Sequence, residues 1–132
     1  MNTQSNPSTV HRPIGQYTHT ISVPVNARWL VLSGQVGIDR KGKLAPSPRK
    51  QCEQAFRNLV ACLRDNGMNK RDLVKSTVYL TDARFVEDYR AARTKVMGDV
   101  LFTSTLVIID GLANPNMVIE VEAWAARAEG NL

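Results

Sequence analysis

The feature that most constrains the fold of this chain is an amphipathic helical pattern between Ser47 and Gly67. Ser47 followed by Pro48 is typical of a helix N-cap and first helical position, and Gly67 is typical of a helix end. Between them the apolar side chains recur at three- and four-residue spacing, as Cys52, Ala55, Phe56, Leu59, Val60 and Leu63. A helix with one apolar stripe is stable when another layer covers that stripe. The chain therefore needs a second layer of secondary structure.

Segments of strand composition supply that second layer. They combine β-branched and aromatic residues with alternation or short apolar runs, and they span residues 16–23, 29–38, 72–81, 103–110 and 117–128. Pro24 and Asn26 suit a hairpin between the first two strands. A second amphipathic helix is predicted from Phe85 toward Gly98.

The resulting order, ββαβαββ, places both helices on one face of a mixed sheet. We therefore predict a single α+β two-layer domain over residues 14–132, preceded by a flexible N-terminal arm at residues 1–13. The other sheet face also needs a cover, because "LVLSGQV" and "LVIID" are apolar at successive positions. In a chain of 132 residues the simplest cover is another subunit.

Composition argues against several classes of protein. No window approaches the roughly 18 uncharged apolar residues of a membrane span, and the polar N-terminus lacks signal-peptide features, so a cytoplasmic location is expected. The net charge is +5, but the positively charged residues are interspersed with acidic ones, which argues against a dedicated nucleic-acid surface. Cys52 and Cys62 are too far apart on one predicted helix to form a disulfide. His11 and His19 have no cysteine or carboxylate at ligand spacing beside them, so no metal site is predicted.

Two groups of polar residues occur in the last two predicted strands. Thr103, Ser104 and Thr105 open an otherwise apolar strand, where they either line a cleft or satisfy backbone groups at the strand end. Glu120 and Glu122 share one face of the final strand. Carboxylates in that position are commonly solvated or ion-paired, and a catalytic role is the alternative.

Four segments carry a further signal: "GQYTHTI", "LSGQVGID", "QAFRNLVACLRDNGMNKRDLVKSTVYLTD" and "VIEVEAWA". In this order they resemble the Rid family of reactive intermediate deaminases, also called YjgF. The resemblance implies a chorismate-mutase-like fold that forms a homotrimer with three intersubunit clefts. It also implies cofactor-free hydrolysis of imines or enamines of 2-keto acids, with release of ammonia. In the family an arginine binds the substrate carboxylate and a glutamate positions the attacking water.

The family's roles transfer to several positions of this chain. Tyr17 matches the tyrosine of the family's G-P-Y-S motif, although Gln16 and Thr18 stand where proline and serine are usual. Ser33 and Gly34 match the S-G-Q motif as substrate-binding residues. Glu120 matches the water-positioning glutamate and is the candidate catalytic residue.

One position departs from the family pattern. Ser104 stands where the family has the arginine of its P-A-R motif, and Thr105 and Leu106 follow it in the substrate-binding segment. A charge-assisted hydrogen bond contributes about 1.5–3 kcal/mol, so affinity for a 2-imino acid is expected to fall roughly ten- to a hundred-fold. The chain thus resembles the branch of the family that lacks the arginine. Arg90 and Arg93, which flank the apolar stripe of the second helix, are candidates for restoring the cation.

Three functions follow as alternatives. The first is hydrolysis of an imine, an enamine or a related carbon–nitrogen compound with altered substrate choice. The second is a non-catalytic trimer that binds a small metabolite or acts as a scaffold. The third is the ribonuclease or translation-inhibitor activity with which some relatives are labelled, which the sequence favours least because it offers neither a histidine pair placed for RNA cleavage nor an aromatic stacking platform.

Overall fold

Two helices cover one face of a four-stranded mixed sheet in the computed structural model, which describes residues 1–130. The strands are β1 (Thr3–Ser5), β2 (Thr20–Ser22), β3 (Ala27–Val36), β4 (Leu73–Leu80), β5 (Thr103–Ile108) and β6 (Ile119–Ala128), and the helices are α1 (Pro48–Asp65) and α2 (Val86–Met97). The sheet order is β3-β6-β4-β5, in which β4 and β5 are parallel and the other pairs are antiparallel. The predicted α+β two-layer fold and its order of elements are confirmed, with one additional short strand at the N-terminus.

The first helix forms as its sequence pattern predicts. The Ser47 hydroxyl accepts a hydrogen bond from the Lys50 backbone N–H at 3.2 Å, and Pro48 occupies the first turn. The apolar stripe is buried: Phe56, Leu59 and Leu63 contribute to the core between α1 and the sheet. Helix α2 packs beside α1, where the Phe56 and Tyr89 ring centroids lie 5.9 Å apart.

The strands alternate between the helix-covered face and the opposite face, which we call the open face. In β4 and β6, Val78, Leu80 and Val121 are buried beneath the helices. On the open face Trp29, Val31 and Trp124 remain 49%, 60% and 48% exposed. The Trp29 and Trp124 rings lie 6.0 Å apart in an edge-to-face arrangement. An apolar patch is thus left uncovered on the side where the sequence predicted a second cover.

The N-terminal region differs from the sequence prediction. Residues 1–13 were expected to form a flexible arm, but Thr3–Ser5 form β1, which pairs with β2. The predicted hairpin between β2 and β3 is therefore wrong, because these strands belong to different sheets. The pairing depends on polar side chains that reach distant carbonyl groups: Asn2 donates to Ala126 O at 2.9 Å and Gln4 to Leu101 O at 2.8 Å. Such contacts leave no apolar periodicity in the sequence.

Among residues 1–130, neither helix is long and apolar enough to cross a bilayer.

Candidate functional site

A cavity of about 670 Å³ opens between α2, the first half of β5 and the segment that precedes β2. It is lined by Ile14, Gly15, Gln16, Tyr17, Val86, Tyr89, Arg90, Arg93, Thr94, Ser104, Thr105 and Leu106. Ligand pockets in proteins typically enclose about 300–1,000 Å³, so the space suits a small organic molecule. We refer to it as the α2–β5 cavity.

Four of the residues matched to the family's substrate-binding positions meet in this cavity, and we call them the cavity cluster: Tyr17, Ser104, Thr105 and Leu106. The segment that carries Tyr17 is fixed to the start of β5 because the Thr18 N–H donates to Phe102 O at 3.2 Å. The Tyr17 hydroxyl accepts a hydrogen bond from the Ile14 N–H at 3.2 Å. These bonds hold the aromatic ring against the mouth of the cavity.

The three hydroxyl groups at the start of β5 have different partners. Thr103 donates to Val74 O at 2.5 Å, so its hydroxyl satisfies a backbone group. Thr105 accepts from Lys75 Nζ at 2.6 Å. The Ser104 Oγ lies 3.0 Å from Ser76 Oγ, and Ser104 lines the cavity. The Thr103 hydroxyl thus satisfies a backbone group, whereas Ser104 and Thr105 line the cavity.

Both candidate arginines line the cavity, but they differ in burial. Arg90 pairs with Glu87 at 2.9 Å and its side chain is 58% exposed, so it lies at the rim. Arg93 is only 2% exposed. Its Nη2 donates to Val100 O at 2.7 Å and its guanidinium carbon lies 4.8 Å from the centroid of the Phe102 ring. Its Nε and Nη1 are buried without a hydrogen-bond partner among residues 1–130.

Tyr89 lies near both Arg93 and Ser104 in the lining of the cavity. Burial raises the pKa of the Tyr89 hydroxyl above its ordinary value, while the nearby Arg93 charge and Ser104 hydroxyl act in the opposite direction. Burial likewise lowers the pKa of Arg93, and the Tyr89 hydroxyl opposes this shift. Sequence reasoning placed Tyr89 only on the apolar stripe of α2. The available signal was the four-residue step from Tyr89 to Arg93, which puts both side chains on the buried face.

The remaining matched residues, Ser33, Gly34 and Glu120, form a second group that we call the bulge cluster. The β3–β6 register shifts between Leu32 and Gln35, so Ser33 and Gly34 lie in the interruption of the ladder. A Cβ placed on Gly34 would come within 2.6 Å of the carboxyl carbon of Glu120 and would also collide with its Oε2. The Glu120 carboxylate therefore lies directly against the Gly34 backbone, where only glycine leaves room for it.

The two clusters lie toward opposite edges of the sheet. The bulge cluster is on β3 and the adjacent β6, whereas the cavity cluster is on β5 and the segment before β2. Since neighbouring strands are about 4.8 Å apart, β5 is separated by roughly 10 Å from β6, which carries Glu120, and by roughly 14 Å from β3, which carries Ser33 and Gly34. Within one chain, the structure thus brings the predicted residues together as two groups and not as one site.

The two histidines, which the sequence shows eight residues apart, are close together in space. The His11 and His19 ring centroids lie 5.0 Å apart, and the Tyr17 ring lies 5.6 Å from His19. His19 Nε2 contacts His11 O at 2.7 Å, which holds the pair. The sequence did not predict this histidine pair, because the contact requires the N-terminal segment to fold back on itself. Over residues 1–130 no group of side chains forms a metal-binding cluster.

The fold and the cavity define a class: an α+β two-layer protein with a pocket for a small molecule. The family model "Endoribonuclease L-PSP" matches residues 8–127, which is most of the chain. A RutC family protein of Aquifex aeolicus is 31% identical over 117 residues, covering 87% of this chain and 91% of that protein. The chain belongs to the Endoribonuclease L-PSP family, the group also known as Rid or YjgF.

Solved structures agree with this family. A Rid family protein of unknown function from Yersinia pestis superposes with a TM-score of 0.84 at 23% identity, covering 96% of this chain and 98% of that chain. RidA from an Antarctic Psychrobacter species superposes with a TM-score of 0.69 at 25% identity, covering 86% of this chain and 90% of that chain. Family membership supports a small-molecule-binding role of a deaminase-like or endoribonuclease-like kind.

Proposed function

We propose that the chain forms a cytoplasmic homotrimer that binds a small metabolite in clefts between subunits and hydrolyses a carbon–nitrogen bond of the imine or enamine type. The observation that carries this proposal is the separation of the two clusters. Both contain residues matched to the same family site, yet the strands that carry them are separated within a chain by roughly 10 Å (β6 to β5) or 14 Å (β3 to β5). A contact between the β5 edge of one subunit and the β3 edge of the next would unite them in one cleft.

The open face supports the assembly. Trp29, Val31 and Trp124 expose apolar side chains on a sheet face that no helix covers. Contiguous exposed apolar surface marks an interaction site. A head-to-tail contact between different edges closes into a ring when the rotation is cyclic, and a ring of three would place an equivalent cleft at each junction. Burial of this face in a trimer would also account for the apolar runs in β3 and β5.

The chemistry assigned to the cleft requires only water. In imine hydrolysis, water adds to the carbon of the C=N bond, the nitrogen gains protons, and ammonia leaves as the carbonyl forms. We assign Glu120 the role of orienting the attacking water. A carboxylate accepts a hydrogen bond from the water and so directs the lone pair of the water oxygen toward the imine carbon. The contact of the carboxylate with Gly34 limits where that water can lie. We assign Tyr17, Ser104, Thr105 and Leu106, together with Ser33 and Gly34, to the substrate.

Ser104 changes the substrate choice of this cleft. By the sequence resemblance Ser104 matches the family's arginine; its hydroxyl hydrogen bonds with Ser76 and provides no bidentate fork for a carboxylate. We therefore propose that the preferred substrate differs from the small 2-imino acids inferred for arginine-containing relatives. The space beside Val86 and Leu106 accommodates an apolar substituent.

The test measures ammonia release from 2-imino acids that an amino-acid oxidase generates in place, using substrates with small and large side chains. We expect the wild type to accelerate hydrolysis and Glu120→Gln to lose about 100-fold or more of that rate, since a positioned acid–base group contributes about 10²–10⁴-fold. Glu122→Gln is the matched control, because Glu122 lies on the same face of β6 but bonds to the Tyr79 hydroxyl at 2.6 Å.

Two outcomes would contradict the deaminase proposal. If the wild type is inactive on every imine while Ser104→Arg gains activity, the cleft is competent but wild-type function lies with another ligand. If both are inactive, the non-catalytic binding trimer becomes the working function.

RNA hydrolysis is a second candidate function, favoured by one specific observation. Two imidazole rings and a phenol lie close together: the centroid of the His19 ring is 5.0 Å from that of His11 and 5.6 Å from that of Tyr17. Imidazole is the most common acid–base group in catalysis at neutral pH. The same protein preparation, incubated with single-stranded RNA in low salt, is expected to cleave it only if this pair is catalytic. Loss of cleavage in His19→Ala with retention in Glu120→Gln would assign the activity to the pair.

A further inference from the structure

We propose that the α2–β5 cavity binds the carboxylate group of a small organic acid, with Arg93 as the buried counter-charge and the hydroxyls of Tyr89 and Ser104 as the direct hydrogen-bond donors. The inference rests on the proposed function in placing the ligand in that cleft, and it specifies the chemical class of the ligand. It assigns the anion-binding role to α2 and not to the β5 position where the family carries its arginine.

The first argument is the cost of an unpaired buried charge. Arg93 is 2% exposed, and its Nε and Nη1 find no acceptor among residues 1–130. Burial lowers the pKa of Arg93, but a guanidinium remains charged in proteins. Buried charges are normally paired or coordinated, since an isolated one is costly. An anion bound nearby would supply the missing compensation.

Glu53 shows how this fold treats a buried charge when no ligand is involved. Glu53 is also 2% exposed, yet its Oε1 lies within 3.7 Å of Lys50, 3.4 Å of Arg57 and 3.1 Å of Lys95. No carboxylate within residues 1–130 forms an ion pair with Arg93, and the lining of the cavity includes neither aspartate nor glutamate. The chain thus neutralises Glu53 internally and leaves Arg93 for an external partner.

The second argument is the route from Arg93 to the cavity. Tyr89 lies one helical turn before Arg93, and both line the cavity with Ser104. A guanidinium has only donors, so Arg93 cannot accept the proton of the nearby Tyr89 hydroxyl, and the Tyr89 O–H is left to donate into the cavity. Ser104, close to Tyr89 and 3.0 Å from Ser76, offers a second O–H. Two neutral hydroxyl donors next to a buried cation form a binding site for a carboxylate, which we call the carboxylate site.

Arg90 is not the counter-charge that we propose for a carboxylate in the cavity. Its guanidinium is already paired with Glu87 at the exposed rim. Ionic contacts between exposed side chains are weak and screened by salt. Arg90 therefore serves as the matched control for Arg93 on the same helix and around the same cavity.

The rest of the cavity defines the other end of the ligand. Ile14, Val86 and Leu106 present apolar side chains, and the Tyr17 ring closes the mouth. A cavity of about 670 Å³ accommodates more than a two- or three-carbon acid. The ligand class is a carboxylic acid with an apolar or aromatic substituent.

The alternative is that Arg93 only ties α2 to the strand entrance. Its contacts with Val100 O and the Phe102 ring are of that kind. A purely structural arginine would change stability when replaced, but it would not change how the cavity discriminates between an acid and its neutral amide. That discrimination is therefore the quantity to measure.

The experiment compares benzoate with its neutral isostere benzamide by isothermal titration calorimetry of the intact protein. We expect the wild type to bind benzoate about tenfold or more tightly than benzamide, as hydrogen bonds to charged groups imply. Arg93→Met should bring the ratio of the two dissociation constants close to one, Arg93→Lys should retain part of it, and Arg90→Met should leave it unchanged. A wild-type ratio near one, an undiminished ratio in Arg93→Met, or no binding of either probe would overturn the proposal.

Tyr89→Phe provides a second route if Arg93→Met does not fold. It removes one oxygen atom, and it should reduce the benzoate-to-benzamide ratio by about three- to tenfold as a direct donor is lost. A ratio unchanged in Tyr89→Phe would refute the direct role of that hydroxyl. All of these experiments measure binding and none measures turnover. If the protein binds benzoate selectively but releases no ammonia from imines, the proposed hydrolysis fails while the carboxylate site stands.

Discussion

Replacing Gly34 with alanine is expected to abolish most of the proposed hydrolysis while leaving the fold intact. A Cβ at Gly34 would lie 2.6 Å from the Glu120 carboxyl carbon and 2.8 Å from its Cγ, whereas ordinary contacts begin at 3.4 Å. The carboxyl carbon must therefore move by about 0.8 Å. A misplacement on the order of 1 Å costs roughly 100-fold in rate. Gly34 does not have a positive φ, so alanine causes no backbone strain there.

The stability of Gly34→Ala should change by less than about 1 kcal/mol, because the displaced group is the end of a flexible, partly exposed side chain. Gly37→Ala is the contrasting control. Its Cβ would lie 2.6 Å from the Gln51 Cα in α1, which is backbone and cannot rotate away. Overpacking of this kind costs about 1–3 kcal/mol. The two glycines, three positions apart, thus separate an effect on the site from an effect on the fold.

The assay combines thermal unfolding of each variant with the rate of imine hydrolysis. If Glu120 acts as proposed, Gly34→Ala/Glu120→Gln should be no slower than Glu120→Gln alone, since alanine keeps the backbone groups that we assign to the substrate and its added Cβ acts through the carboxylate. Full activity in Gly34→Ala would refute the assigned position of Glu120. An unfolded Gly34→Ala would refute the argument that the side chain can move at low cost.

Three further predictions concern the core and the open face. Burial, with the nearby Asp88 charge, raises the pKa of Cys52 to about 12, so iodoacetamide at pH 8 should label Cys62 but not Cys52 in the native protein, as mass spectrometry would show. Burial acts to raise the pKa of Glu53, but its three cationic neighbours outweigh it and the pKa lies below the ordinary value. The ionised Glu53 therefore stabilises the fold fully at pH values above its unfolded-state pKa. The loss of stability caused by Glu53→Gln should shrink as the pH falls through the lower folded-state pKa of Glu53. A loss of stability that does not depend on pH would contradict this. If the proposed trimer forms through the open face, Trp124→Glu should give a 14.7 kDa monomer in light scattering, and an unchanged mass would exclude this face from the interface.

Local sequence signals predicted the elements that depend on local physics. Ser47 and the three- and four-residue apolar spacing define α1, because capping and amphipathicity act within a few turns. The alternation of Val78 and Leu80 with Tyr79 likewise defines β4. These patterns need no information from distant parts of the chain.

The site depends on contacts that no local pattern records. The α2–β5 cavity forms because the segment around Tyr17 folds onto the entrance of β5, far along the chain. The position of β1 depends on the side-chain amides of Asn2 and Gln4. That Arg93 Nε and Nη1 have no hydrogen-bond partner within residues 1–130 becomes visible only when the surroundings of Arg93 are known, although its spacing from Tyr89 indicates a buried face. The resemblance predicted the candidate site residues, and the sheet topology places them in two clusters.

The claim that one cleft is shared between two subunits is tested most directly by mixing two inactive variants. Tyr17→Ala disables the cavity cluster and Glu120→Gln disables the bulge cluster, so each homotrimer is expected to lack activity. After co-refolding in equal amounts, random assembly gives intact residues to about one quarter of the clefts, because each cleft takes one cluster from each of two neighbours. Imine hydrolysis at about a quarter of the wild-type rate per cleft is the predicted result. A mixture no more active than the two variants measured separately would contradict the shared cleft.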